Sequence, residues 1–324
     1  MATVQRPAAP VRQPAPLTSA QPGGGLGMRL ELAWGRLRRA WLRRFRPGYV
    51  RRMADKRQGD CPGCPHDVID PRDLKFYRNV CGYWFRPEDD PFRWRGQLGL
   101  ARAGLAEVVL FSALLLPLAV LFGAAGALVH PLFGLPTAAV AVLWLGVVWF
   151  FRDPDRTIPT DPALLLSPAD GTITHIDEVD EPDFPGGRAL RVSIFLSIFN
   201  VHVNRMPQTA RVVGLRYFPG CFLYANHADC FARNEQLWID LEEEGTGRPL
   251  RVKQIAGVAA RRIVCWLRSG ETVSAGERFG MIKFGSRTEV YVPANEAIEL
   301  LVKVGDRVKG GSRALLRFRP QGAS

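Results

Sequence analysis

Two places in the chain carry residue types that can do chemistry. The first is the run Phe279-Gly-Met-Ile-Lys-Phe-Gly-Ser-Arg-Thr-Glu-Val-Tyr-Val-Pro293. It reads as two short strands, 279–284 and 288–292, meeting at Gly285-Ser286-Arg287. A Ser directly after Gly sets a hydroxyl within reach of the Gly285 carbonyl. A Ser hydroxyl is a poor nucleophile at neutral pH, so attack on that carbonyl needs a base within hydrogen-bond reach and an oriented amide. A Gly-Ser pair taken alone reads as an ordinary hairpin turn. The second place is Cys61-Pro-Gly-Cys64, followed by His66 and Cys81. Four such ligands complete a tetrahedral site, so the set offers an incomplete signal for a structural zinc. There is no second Cys-x-x-Cys, and His66 follows Cys64 closely. The plain alternative is free thiols in a loop-rich linker.

The elements that must position these groups differ along the chain. The 324 residues allow one large domain or two smaller ones, and 47% hydrophobic content supplies a core. The net charge is +12. Residues 1–103 carry 20 Lys+Arg against 9 Asp+Glu, while the rest is close to balanced. That asymmetry predicts attraction to anionic phosphate, on a lipid surface or a nucleic acid. Six Cys in so long a chain do not suggest a disulfide scaffold. Residues 1–27 are rich in Pro, Gly, Ala and Gln, which predicts a disordered tail without a cleavable signal peptide.

Residues 28–53 read as a basic amphipathic helix on a membrane surface. Leu30, Trp34, Leu37, Trp41 and Phe45 fall on one face, flanked by Arg36, Arg38, Arg39, Arg43, Arg44 and Arg46, and Pro47-Gly48 ends it. A core-facing helix with a solvated basic side is the alternative. Residues 54–103 hold the Cys set and a crowd of aromatics (Phe76, Tyr77, Tyr83, Trp84, Phe85, Phe92, Trp94), as an interfacial belt would. Residues 108–151 contain no Asp, Glu, Lys or Arg. That is too long for one span, and His130 to Pro136 breaks it, so 104–151 reads as two transmembrane helices, 105–129 and 132–151. Arg93, Arg95 and Arg102 before them and Arg152 and Arg156 after them put both flanks on the cytoplasmic side. Residues 152–324 read as a mostly β domain, with strands at 172–179, 190–196, 209–217, 236–241, 250–255, 297–302 and 314–318 and a helical look over 258–267. The fold class is α+β, a mostly β domain preceded by two transmembrane helices and a basic amphipathic helix.

Several motifs together resemble one family. Phe150-Phe-Arg-Asp-Pro154, Ser167-Pro-Ala-Asp-Gly171, Phe195-Leu-Ser-Ile-Phe-Asn-Val-His-Val-Asn-Arg-Met-Pro207, Gln254-Ile-Ala-Gly257, Ala260-Arg-Arg262 and Ala275 through Ser286 are similar to the short bacterial form of the phosphatidylserine decarboxylases, in family order. The resemblance spans about 148–318. It implies that Ser286 attacks the Gly285 carbonyl, that the chain is cut between Gly285 and Ser286, and that Ser286 becomes a covalent pyruvoyl cofactor. It implies that this ketone forms a Schiff base with phosphatidylserine and releases CO2 and phosphatidylethanolamine, the 286–324 chain staying as a partner of 1–285. His202 is implied as the acid/base residue and Asp170 as its partner. The site implied is on the cytoplasmic face of a bacterial inner membrane, with anionic phospholipid as the surface.

The sequence departs from larger members of that family. They carry two His three residues apart in this turn, and here Arg205 holds the second position. Arg cannot be a general base in the usual sense. Arg205 reads instead as a fork for a substrate carboxylate or phosphate, and His227 as a substitute base or substrate contact. Three other readings compete. A membrane-tethered lipoyl or biotinyl carrier domain wants a Lys hairpin that is missing. A zinc peptidase wants a His where Asn204 stands. A nucleic-acid binder does not fit an Arg helix that carries Trp and Leu and precedes membrane spans, so no nucleic acid is expected. Oligomeric state, a homo-oligomer included, is not readable.

Overall fold

The computed structural model describes residues 26–61, 64–220, 234–257, 262–283 and 286–319. Helix α1 (Leu26–Phe45) meets α2 (Pro47–Lys56) at Arg46. Pro47 both ends α1 and opens α2, because proline lacks the N–H a helix interior needs yet suits a first turn. The sequence shows only the stop. The Leu30, Trp34, Leu37, Trp41 and Phe45 stripe lies outward, each residue at least half exposed. Part of the basic flank docks on the protein itself. Arg38 and Arg39 bond Asp73 at 3.1 and 3.0 Å, Arg38 also bonds Asp70, and Arg43 bonds Asp67. The core-facing alternative for this helix therefore fails: its apolar stripe lies outward, while Arg38 and Arg39 turn to the protein and Arg36, Arg43, Arg44 and Arg46 stay exposed.

The aromatics of 76–94 do not form a single belt. Tyr77, Tyr83 and Phe85 pack with Val68, Leu74 and Cys81 into a small core, while Trp84 and Trp94 stay exposed. Helices α3 (Leu105–Leu128) and α4 (Gly134–Phe150) then pack on each other, with Trp144 Nε1 donating to Ser112 Oγ at 2.9 Å. Both lie in segments long and apolar enough to cross a bilayer, and their most apolar windows are not buried inside the protein.

The rest is β-rich. Its strands are β1 (Leu164–Leu166), β2 (Gly171–Asp180), β3 (Arg188–Leu196), β4 (Val203–Arg205), β5 (Ala210–Phe218), β6 (Gln236–Glu243), β7 (Pro249–Ala256), β8 (Arg262–Cys265), β9 (Thr272–Val273), β10 (Arg278–Lys283), β11 (Ser286–Pro293), β12 (Ile298–Leu300), β13 (Arg307–Val308) and β14 (Ala314–Phe318). The large sheet runs β13-β2-β3-β11-β7-β6-β5-β9, and two small sheets run β4-β10-β8 and β1-β14-β12. Period-two alternation fixes which side is apolar. Val290 and Val292, with Val252, Ile239, Leu241, Val192 and Ile194, form the core on one face. Arg251 and Lys253 pair with Glu181 on the other, at 3.0 and 2.8 Å.

Two local expectations change. The strands around residue 285 exist but do not form a hairpin. β10 pairs β4 and β8, whereas β11 pairs β3 and β7. The helical look of 258–267 gives way to β8 at its described end. Ile263 and Val264 are β-branched, and they pair with Ile282 and Met281 of β10, so sheet pairing overrides the local pattern.

Candidate active site

Ser286 opens β11, the strand held between β3 and β7. It is fully buried, and its Oγ has no hydrogen-bond partner among the described residues. Gly285 lies outside the described residues. Two residues on, Thr288 faces the same way and ties three strands together. Asn204 Nδ2 donates to Thr288 Oγ1 at 3.2 Å, and Gln254 Nε2 donates to Asn204 Oδ1 at 2.8 Å. Gly280 allows this approach, since a Cβ there would stand 2.5 Å from the Val264 carbonyl and 2.9 Å from Gln254 Nε2.

His202 precedes β4, and its carbonyl accepts from Ile282 N at 3.4 Å, four residues before Ser286. Its ring lies against Phe150, the last residue of α4, with centroids 4.4 Å apart. Nδ1 is 2.9 Å from the Asn200 carbonyl. A carbonyl only accepts, so Nδ1 carries the hydrogen and Nε2 presents its lone pair. That Nε2 is buried and without a partner among the described residues. Burial pushes the imidazole down to about 4, and Arg152 pushes it the same way, against the Asn200 bond. His202 is therefore a neutral, bare base at physiological pH.

The structure does not bring Asp170 to this imidazole. Arg156 Nη2 donates to both its oxygens, at 3.0 and 2.8 Å, and Gly310 N donates to Oδ1 at 2.7 Å. The carbonyl of Asn200 holds the place expected of Asp170. Arg205 is likewise committed within the fold, against the expectation of a substrate anion. Its guanidinium bonds Asp153 at 2.9 Å, the Pro154 carbonyl at 3.1 Å and the Gly276 carbonyl at 3.2 Å. His227 lies outside the described residues. Of the expected metal ligands, Cys61, Cys64 and Cys81 converge, while His66 turns its Nε2 to the Asp73 carbonyl at 2.9 Å.

Sequence reasoning misses Glu235. Gln236 is opposite Ile255, and Ala256 N donates to Glu235 O at 2.9 Å, so Glu235 stands beside Ala256, which in turn pairs with Ser286. All three face one side of the sheet. Glu235 is buried with Oε1 unpartnered among the described residues, and burial pushes its carboxyl up to about 7, against the Tyr217 hydroxyl bond. The signal was in the phase of the strand: Glu235 is in step with the inward Leu237, Ile239 and Leu241. Also missed is the ion pair of Lys283 with Glu107, which ties β10 to the start of α3.

A sequence model of the family described as phosphatidylserine decarboxylase matches residues 145–315. The chain belongs to the phosphatidylserine decarboxylase family. Among curated relatives, the phosphatidylserine decarboxylase proenzyme of Rhodopirellula baltica is 46% identical over 247 residues, covering 76% of this chain and 99% of that one. The proenzyme of Symbiobacterium thermophilum is 48% identical over 181 residues, or 56% of this chain and 83% of its own length. That of Desulfotalea psychrophila is 45% identical over 168 residues, or 52% and 77%. The decarboxylase match begins inside α4, so Phe150, Asp170, His202, Arg205, Glu235 and Ser286 fall within it. The Cys cluster and α1 fall before it.

Proposed function

We propose that this chain is a self-processing decarboxylase that converts phosphatidylserine to phosphatidylethanolamine and CO2 at a membrane surface. Ser286 Oγ adds to the Gly285 carbonyl while His202 Nε2 takes the hydroxyl proton. The C–N bond breaks, the freed amine takes a proton, and the amide has become an ester. Loss of the Ser286 Cα proton expels the Gly285 carboxylate, and hydrolysis of the remaining enamine releases ammonia. A ketone then begins the 286–324 chain. That pyruvoyl group supplies an electron sink that none of the twenty side chains offers. The residues fit it: β11 is paired on both sides from Ser286 onward, and β13 and β14 pair β2 and β1, so the short chain stays within the body after cutting. His202, whose carbonyl accepts from Ile282 of the strand leading to Ser286, takes and returns protons in this reading, and Glu235, half protonated near neutral pH, is the second proton carrier.

The same reading explains how the site meets lipid. In it α3 and α4 span the bilayer with both outer ends on the cytoplasmic side of a bacterial inner membrane. Phe150 ends α4 against His202, and Glu107 begins α3 against Lys283, so both ends of the apolar pair touch the site strands. Arg152 bonds the Phe199 carbonyl at 2.7 Å, and Ile198 and Phe199 beside it are exposed. A serine headgroup at the interface then reaches the imidazole without leaving the bilayer surface. The α1 stripe lies in that interface, where anionic lipid attracts each nearby Arg by about 1 kcal/mol.

The observation that carries this reading is the pair of buried atoms without a partner among the described residues, Ser286 Oγ and His202 Nε2. An unmet buried polar group costs roughly 1–3 kcal/mol, and a hydroxyl and an imidazole left so are groups able to exchange a proton. The test is turnover of phosphatidylserine vesicles by the purified chain. Stoichiometric CO2 and phosphatidylethanolamine support the reading, and a folded chain that releases neither overturns it.

A further inference from the structure

Ahead of the decarboxylase domain, the sulfurs of Cys61, Cys64 and Cys81 all lie within 4.8 Å of one another. The Cα of Cys64 stands 5.5 Å from that of Cys61 and 5.6 Å from that of Cys81, and its sulfur is set against both. A thiol can join one disulfide only, so no disulfide accounts for all three converging sulfurs. They are a donor set for a soft divalent cation. The local fold builds the cluster. Gln58 and Trp84 exchange backbone hydrogen bonds at 2.8 and 3.0 Å, which draws the Cys61 end against the Cys81 end. Gly82 sits so close to the Asp60 carbonyl that no side chain fits there. Val68, Leu74, Tyr77, Tyr83 and Phe85 wall the sulfurs, and Cys81 is buried.

We propose that Cys61, Cys64 and Cys81 bind one zinc ion as thiolates, and that this ion fastens the N-terminal module to the decarboxylase body. Three protein sulfurs leave the fourth corner of the tetrahedron to water, because no His66 nitrogen joins the converging set. His66 stands aside from the sulfurs, its Nε2–H held by the Asp73 carbonyl at 2.9 Å. The module touches the body at this end. Asn79 Nδ2 donates to the Leu267 carbonyl, Arg78 pairs with Glu271 at 3.5 Å, and Cys81 and Gly82 face Ser269 and Gly270. A metal at Cys81 therefore stiffens the segment that bridges α1 to the β8–β9 connection.

The test uses the full chain purified in detergent with reductant. Elemental analysis is expected to give one zinc per chain, and a thiol-titrating mercurial to release it. Cobalt in place of zinc is expected to give intense thiolate-to-metal absorption. Cys81→Ser is expected to lower bound zinc about tenfold or more. If that variant does not fold, the wild-type cobalt spectrum still decides. Wild type with almost no zinc, a peptide map showing Cys64 in a disulfide, or zinc that stays stoichiometric in Cys81→Ser would each overturn the assignment. Zinc content is read without turnover, so this result stands apart from the catalytic proposal.

Discussion

Glu235 and Ser286 face the same side of the large sheet with only Ala256 between them in the row. Two strand spacings separate their backbones, about 10 Å. Glu235 is therefore suited to act on a substrate held at Ser286 rather than on the hydroxyl itself. Both side chains keep an unpartnered buried oxygen among the described residues.

Replacing Glu235 by Gln is predicted to remove a pH limb. Burial raises this carboxyl to about 7, so it is protonated in acid and ionised above neutrality. Wild-type turnover is expected to fall as pH rises through 7, and Glu235→Gln to be low and flat there. The stability sign follows from the same shift. A carboxyl with a raised folded value contributes most below its unfolded value, and loses that contribution as pH rises through 7. Melting of wild type and Glu235→Gln from pH 4 to 8 checks it.

His202 is predicted to titrate far below an ordinary imidazole. Its folded value near 4 means that the neutral base persists to about pH 5. The acid limb of turnover is expected near 4, not 6.5, and His202→Ala is expected to lose about 10²–10⁴-fold in rate. A depressed imidazole contributes stability that is present above its unfolded value and lost as pH falls toward 4. A pH–rate profile of the cut enzyme, with melting data beside it, reads both.

Arg205→Ala is predicted to act on stability and not on substrate affinity. The Arg205–Asp153 pair is buried, and removing one partner costs about 3 kcal/mol, the low end because Arg278 Nε also reaches Asp153 at 2.6 Å. Denaturant melting is expected to show that loss with KM unchanged. A raised KM at unchanged stability would restore the anion-binding role read from the sequence.

Gly171→Ala is predicted to destabilise by about 1–3 kcal/mol through overpacking. An Asp-Gly pair is ordinarily turn chemistry. In the structure Gly171 begins β2, and a Cβ there would collide with the Phe195 carbonyl and the Ile194 side chain. Close approach of β2 to β3, not a left-handed turn, is what requires glycine here. Chemical denaturation of the variant measures it.

Much of the β body was legible because its strands alternate cleanly. The reading of 172–179 meets β2, 250–255 meets β7, and 314–318 meets β14. The apolar pair was legible from the absence of charge and the break near His130. What the sequence hid is pairing. Nothing local distinguishes two strands joined by Gly-Ser as a hairpin from two that enter different sheets, as β10 and β11 do. The partners of polar groups were hidden for the same reason. Asp170 and Arg205 read as catalytic or binding groups by type, yet Arg156 and Asp153, distant in sequence or across the turn, already hold them. Short strands such as β4 and β8 carry too few residues for a period to show.

The most direct test of the central claim is the intact mass of the purified protein. The account predicts two chains, residues 1–285 and a 39-residue chain of 286–324, the smaller lighter than its sequence by one ammonia, with Ser286→Ala uncut. A single unbroken wild-type chain with an ordinary serine at position 286 would contradict it.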